Sequence, residues 1–317
     1  MKVLVTGGVG FVGVHLLPWL EHDSAIESVV ILDSLCYTSI PSVLHGLSDK
    51  FKFIKGDICE VTRVADLVST VDVVINLAAQ TFVDNAINDS LPFVMTNIFG
   101  LASILEAIRK DKCRQRLVHI STDEVWGEAL VGSFNEESPY HPRNPYSATK
   151  AAADHMIRAY GSTYGLRYNI IHFPNLYGRW QYPEKLIPAT IARLSRDEKA
   201  RIYGDGQQTR TWLHVNDAVD GLLRVFHHAT MRTYTLGTDD VWTNLDVVKL
   251  ICRLMGKDET SIEFVEDRLG HDRHYVVDCS RICQELNWRP TIKFEVGVAD
   301  IIAWFKAHQR WWETAHQ

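Results

Sequence analysis

Tyr146 and Lys150 stand four residues apart within PYSATK. On a helix, positions i and i+4 share a face. A Lys ammonium close to a phenol lowers its pKa from about 10 toward neutrality, and an oxidised nicotinamide ring adds a second positive charge. Such a pair is a general base able to deprotonate a sugar hydroxyl as hydride leaves the carbon. The run Ser121-Thr122-Asp123-Glu124 supplies a second constellation. Adjacent carboxylates can divide labour, one a protonated acid and one an ionised base, which is what elimination of water requires. Neighbouring strand residues point to opposite faces. Asp123 and Glu124 therefore enter one site only if their strand ends by about Thr122. Taken singly, a YxxxK pair is commonly a surface tyrosine with a solvated lysine, and paired acids commonly form a solvated loop.

The third group is the glycine run TGGVGFVG (6–13), where Gly7, Gly10 and Gly13 stand three apart. Glycine lets backbone N–H groups approach a pyrophosphate, and a following helix N-terminus adds partial positive charge. Asp33 lies 20 residues past Gly13 at the end of an apolar run. Its carboxylate suits ribose hydroxyls and repels a 2′-phosphate, which favours NAD over NADP. Asp57 and Ile58 are placed to bracket the adenine, and Leu77, Ala78 and Ala79 to line the cofactor.

The elements that position these groups follow from hydrophobic patterning. KVLV (2–5), SVVILD (28–33), FKFIKGD (51–57), VDVVINLA (71–78) and RLVHIST (116–122) read as strands apolar on both faces. Helices are expected near 11–21, 61–69, 93–110 and 145–164, with another strand at 168–173. This βαβα rhythm implies an α/β fold, a doubly wound parallel Rossmann sheet with a smaller C-terminal α/β substrate lobe. The expected partition is a Rossmann domain over 1–173, with interleaved late elements about 207–236, and a lobe formed by 174–206 and 237–317. Segment 93–110 is apolar nearly all round, so burial on both sides is expected, the outer side against a partner subunit or another part of the chain. Trp311 and Trp312 near the C-terminus either cap the lobe or lie exposed.

The 317 residues are 46% hydrophobic and 23% charged with a net charge of −6, which excludes a disordered chain and a general nucleic-acid binder. A local basic pocket for one small anion remains compatible with that charge. Six cysteines form no CxxC pair, so no metal is expected, and they read as buried thiols of a reducing cytosol. The uncharged start, Val3 to Leu20, imitates a signal peptide, but four glycines and Pro18 break it. A soluble cytoplasmic protein without membrane association is expected.

Together the motifs resemble the extended short-chain dehydrogenase/reductase family, and within it the nucleotide-sugar 4,6-dehydratases. TGGVGFVG, LAAQTFVD, TNIFG, STDEVWGE, NPYSATK, YPEKLIP, YGDGQQTRTWLHVNDA, TNLDVV and DRLGHDRHYVVD carry the resemblance in order along almost the whole chain. The Asp-Glu pair after Ser-Thr is its most specific mark. The resemblance implies an NDP-glucose substrate, dTDP-glucose first and UDP-glucose next, oxidised at C4, dehydrated across C5 and C6, and reduced at C6. Tyr146, supported by Lys150 and Thr122, takes the O4 proton, Glu124 takes the C5 proton, and protonated Asp123 assists departure of the C6 hydroxyl. On the cofactor side it assigns Phe11, Val12, Asp33, Ser34, Asp57, Thr96 and Asn97 beside the glycines. On the substrate side it assigns Thr81, Asn175, Lys185, Leu186, Tyr203, Arg210, Asn244, Arg268 and His271. Lys185, Arg210 and Arg268 suit a diphosphate, and an aromatic suits a nucleobase face. The resemblance also implies a homodimer joined by a four-helix bundle, from the apolar segment 93–110 and the helix bearing Tyr146.

The chain departs from the family's familiar pattern at Gln80, Phe82, Asn85, Trp126, His172 and Leu176. These changes spare the chemistry motifs and leave thymine against uracil, and the exact sugar, open. Two other functions stay in view: a UDP-sugar decarboxylase or 4-epimerase on the same fold, and a non-catalytic NAD-binding regulator. Retention of both Tyr146 and Lys150 speaks against the regulator.

Overall fold

Seven strands form the sheet that carries the chemistry motifs. They are β1 (Lys2–Thr6), β2 (Ser28–Asp33), β3 (Phe51–Lys55), β4 (Val73–Asn76), β5 (Arg116–Thr122), β6 (Arg167–Phe173) and β7 (Arg232–Thr235), laid out as β7-β6-β5-β4-β1-β2-β3. β1 pairs in parallel with β2 and β4, β2 with β3, and β4 with β5. Val3, Leu4, Val5, Val74 and Ile75 are fully buried, as strands covered on both faces require. The strand order reverses direction at β1 and β4, where such sheets bind ligands beyond the strands' carboxyl ends. This computed structural model describes residues 1–129, 132–228 and 231–314.

The chain divides into two units. The first comprises Met1–Val125, Asn144–His172 and Leu222–Tyr234, and the second Trp126–Arg143, Phe173–Gly221 and the residues from Thr235 on. Two segments therefore sit differently from the expected partition. Residues 126–143 belong with the second unit because Ala129 N–H donates to His274 O and Phe134 bridges to Val277. Of 207–236, only 222–234 belong with the first, because strand Thr209–His214 pairs with Asn175–Tyr177, Val241–Thr243 and His274–Tyr275.

In the first unit the helices are α1 (Phe11–His22), α2 (Val61–Val68), α3 (Val83–Asn88), α4 (Leu91–Lys110) and α5 (Pro145–Tyr164). β3 stops two residues short of the expected end, because Asp57 accepts from Cys59 N–H and Glu60 accepts from Asp57 N–H, turning the chain into α2. β4 ends at Asn76, two residues short of the expected Ala78. α4 contains a π-helical stretch at Val94–Gly100. Its inner face buries Leu101, Ile104, Leu105 and Ile108 in a core shared with Val64, Val68 and Ile157. By length and composition α4 alone among the described residues could cross a membrane, but half of it is buried inside the unit. The expected burial on both sides is met on one side only. Leu91, Val94, Met95 and Phe99 are exposed on the chain by itself.

α5 starts sharply. Asn144 Oδ1 accepts from Ser147 N–H at 2.8 Å while Ser147 Oγ accepts from Asn144 N–H at 3.3 Å, a reciprocal cap worth about 1 kcal/mol. Pro145 fills the first helical position, where its missing N–H costs nothing.

The second unit has its own core, including Tyr177, Trp212, Val248, Phe294, Ile301, Phe305 and Trp312. Trp312 is buried and donates to Phe305 O at 3.0 Å, and Trp311 sets its edge on Trp180 and Trp304, so the tryptophan pair caps this core. The last residues of that tail, 315–317, lie outside the described residues. The cysteines depart from expectation: Cys252 is buried, Cys36 is exposed, and the other four lie between; all six are free thiols.

Candidate active site

The glycine loop joins β1 to α1 at the sheet's reversal point. Gly7 adopts φ +68°, and a Cβ there would stand 2.7 Å from the Ala78 backbone, so only glycine fits. Gly10 is the N-cap of α1 and no side chain caps its first turn, which leaves Phe11, Val12 and Gly13 to present backbone N–H groups. Asp33 ends β2 and is buried. Its carboxylate accepts from Val9 N–H, Leu35 N–H and Ser39 Oγ, which pins it beside the loop. Ser34 next to it is exposed. Asp57 and Ile58 follow the end of β3, and Leu77, Ala78 and Ala79 follow the end of β4, all beyond strand carboxyl ends. Thr96 is half-buried on α4. Asn97, which the resemblance assigns to the cofactor, accepts from Gln80 N–H and donates to Gln80 O and Thr149 Oγ1. These residues fit a dinucleotide.

The geometric condition on the acid pair is met. β5 ends at Thr122, and Asp123–Trp126 forms a tight helical turn. Asp123 is 1% exposed. Glu124 is partly exposed, takes a hydrogen bond from Asn144 Nδ2 at 3.1 Å, and donates its N–H to Thr122 Oγ1 at 3.3 Å. Tyr146 is buried against Phe93, Val83 and Ala86. Burial first, then the Glu124 and Asp123 carboxylates, push its phenol above the ordinary range, while a hydrogen bond with Thr122 pulls it down. Both carboxylates thus act on the tyrosine.

Lys150, expected to lower that phenol by its charge, stands one turn further along the same face of α5. Lys150 Nζ is turned to Ile120 O at 2.6 Å and His119 Nε2 at 3.2 Å. Burial lowers Lys150 itself to about 8, against the pull of Asp154.

Behind Lys150 lies a polar network that sequence reasoning missed. His119 Nδ1 lies 3.0 Å from Asn76 Nδ2, and Asn76 Oδ1 accepts from Thr6 Oγ1 at 2.5 Å. Asp154 accepts from Ser121 Oγ at 2.9 Å and lies 2.9 Å from His172 Nε2. All six residues are at most 4% exposed. Asp154 carried a usable signal: it stands four residues past Lys150 and eight past Tyr146, on the same face of one helix.

In the second unit Arg210 lies on strand Thr209–His214, and Asn175 on the strand paired with it. Arg210 pairs across to Tyr275, with its guanidinium 4.0 Å from that ring and donating to Thr209 O and Asp272 O. Tyr275 donates to Asn175 Oδ1 at 3.1 Å. Arg268 lies over the half-exposed Tyr203 ring at 5.3 Å. His271 holds Asp267 at 2.7 Å, yet burial first, with Arg210 and Arg268 nearby, lowers it. Asn244 heads helix Asn244–Leu254 and donates its N–H to Gln208 O. Lys185 caps helix Leu186–Ser195, where Leu186 is the first residue, and pairs with Glu184 at 4.0 Å. Arg210 and Arg268 thus make a basic cluster around His271. Thr81 is exposed in the first unit, and Phe82 beside it is the N-cap of α3.

A dTDP-glucose 4,6-dehydratase from Mycolicibacterium smegmatis is 39% identical over 317 residues, covering 98% of this chain and 95% of that one. Among solved structures, a dTDP-glucose 4,6-dehydratase from Streptomyces venezuelae with NAD bound superposes with a TM-score of 0.96 at 35% identity, covering 99% of this chain and 100% of the other. A UDP-glucuronic acid 4-epimerase from Bacillus cereus matches less well, with a TM-score of 0.90 at 27% identity over 97% of this chain and 99% of that one. A family profile described as GDP-mannose 4,6 dehydratase matches residues 4–301, and the chain belongs to that family.

Proposed function

We propose that this protein is an NDP-glucose 4,6-dehydratase with resident NAD, acting on dTDP-glucose first and UDP-glucose second. The observation that carries the reading is the end of β5 at Thr122, which takes Asp123 and Glu124 out of the strand's alternation, where both carboxylates raise the Tyr146 phenol. An epimerase or decarboxylase has no need of that acid pair beside the tyrosine.

NAD, when bound, takes up a hydride and gives it back. The loop Gly7–Gly13 with Phe11 and Val12 holds its pyrophosphate, Asp33 and Ser34 its ribose, Asp57 and Ile58 its adenine, and Leu77, Ala78, Ala79 and Thr96 flank it. Tyr146, aided by Thr122 and Lys150, takes the sugar O4 proton. The resulting 4-ketone acidifies C5–H, and Glu124, steadied by Asn144, removes that proton. Asp123, sealed from water, gives its proton to the departing C6 hydroxyl. On the substrate side, Arg210, Arg268 and Lys185 hold the diphosphate, Tyr203 the base, and Thr81, Asn175, Leu186, Asn244 and His271 complete the contacts.

The exposed outer face of α4, with Leu91, Val94, Met95 and Phe99, supports a homodimer in which α4 and α5 of two copies form a four-helix bundle. Six free thiols support a cytoplasmic location. The test is a product assay with dTDP-glucose and UDP-glucose side by side. A 4-keto-6-deoxy sugar with its alkaline absorbance is expected, and a C4 epimer without keto product overturns the reading.

A further inference from the structure

Tyr146, Lys150 and Asp154 form one line along α5, with exposures of 6%, 3% and 0%. An uncompensated charge at Asp154 would be costly in that core. The structure instead builds a seat for it from two strands. Ser121 Oγ on β5 donates to Oδ2 at 2.9 Å. His172 Nε2 on β6 lies 2.9 Å from the same oxygen. His119 Nε2 lies 3.9 Å from Oδ1 and 3.2 Å from Lys150 Nζ.

We propose that Asp154 is the fixed counter-charge of Lys150: locked by Ser121 and His172, it keeps Nζ an ammonium aimed past His119 toward Ile120 O, and thereby sets the upper pH limit of proton removal by Tyr146. Asp154 is a positioning residue, since it acts on the substrate through Lys150. The assignment rests on the dehydratase reading above.

The surrounding charges bear this out. The titratable groups facing this pair are His119 on β5 and His172 on β6, with Tyr146 further along α5, itself acted on by Asp123 and Glu124 on the turn after β5. His119 is driven strongly toward its neutral form, by burial first and by Lys150 second, so it cannot neutralise Asp154 by itself. Burial raises Asp154, but the His172 hydrogen bond and the nearby His172, His119 and Lys150 outweigh it and lower the carboxyl to about 2. It therefore stays charged at every working pH. Burial opposes the ammonium of Lys150, and Asp154 is the group that favours it. Removing that charge leaves burial unopposed.

The test is Asp154→Asn, which keeps size and an acceptor and removes only charge. Its pH profile of keto-sugar formation should have an alkaline limb displaced by about one pH unit or more to lower pH. A 13C titration of lysine ε-carbons, with Lys150 assigned through Lys150→Met, should show the same downward displacement without substrate. His172→Gln keeps the charge and a donor, and should leave the alkaline limb in place. If Asp154→Asn does not fold, Asp154→Asn/His172→Gln sets two amides against each other and should reproduce the displacement. An unmoved alkaline limb and an unmoved Lys150 titration, with only reduced turnover, overturn the proposal. Wild-type enzyme that forms no keto sugar overturns the dehydratase reading, while the lysine titration still tests the counter-charge.

Discussion

Asn144 donates its Nδ2 to Glu124 Oε2 at 3.1 Å while its Oδ1 caps α5 at Ser147 N–H. One side chain thus ties the proposed C5 base to the helix that carries Tyr146. The two roles can be separated by substitution. Asn144→Ser should keep the cap and most of the stability but slow dehydration, because the serine hydroxyl is too short to reach Glu124. Asn144→Ala should do both, lowering stability by about 1 kcal/mol. Thermal melts beside single-turnover dehydration rates measure the split.

The acid and base assignments predict different blocks. Tyr146→Phe should abolish C4 oxidation, seen as loss of the NADH absorbance transient. Asp123→Asn should permit that transient yet slow water loss by roughly 10²-fold or more. Dehydration at the wild-type rate would remove Asp123 from the mechanism.

Cofactor retention is predicted to hang on one backbone conformation. Gly7→Ala places a Cβ 2.7 Å from the Ala78 backbone at φ +68°. The loop must shift, and purified protein should carry much less NAD, measured by releasing and quantifying the nucleotide after denaturation.

Stability against pH should carry the signature of Asp154. Its carboxyl sits at about 2 in the fold against an ordinary 3.8, so the folded state binds fewer protons than the unfolded one in that interval. The stabilisation is fully present above about pH 4 and is lost as pH falls toward 2. Urea midpoints of wild type should fall more steeply than those of Asp154→Asn over this range.

The bundle proposal predicts that Phe99→Glu, on the exposed face of α4, converts a dimer into a monomer by light scattering. A wild-type monomer would contradict it.

Much of this site was legible in the chain because its parts are local. The strand–glycine–helix join, the YxxxK spacing and a strand closing on Ser-Thr-Asp-Glu each lie within one short segment. What escaped depends on distant segments meeting. Ser121, Asp154 and His172 come from β5, α5 and β6, and nothing local to any of them announces the contact. The YxxxK spacing placed Lys150 one turn from the phenol, but nothing local announced the carbonyl and imidazole that β5 offers its Nζ. The resemblance assigned Asn97 to the cofactor, and nothing near it in the chain announced its contacts with Gln80, 17 residues away, and Thr149. The shortened β3 reflects a side-chain turn at Asp57 that overrides the apolar run.

The most direct test uses dTDP-glucose carrying deuterium at C4. Removal at C4, loss of water and return to C6 predict a 4-keto-6-deoxy product with the deuterium now at C6. Deuterium retained at C4, or an epimer or pentose product without the keto group, would contradict the account.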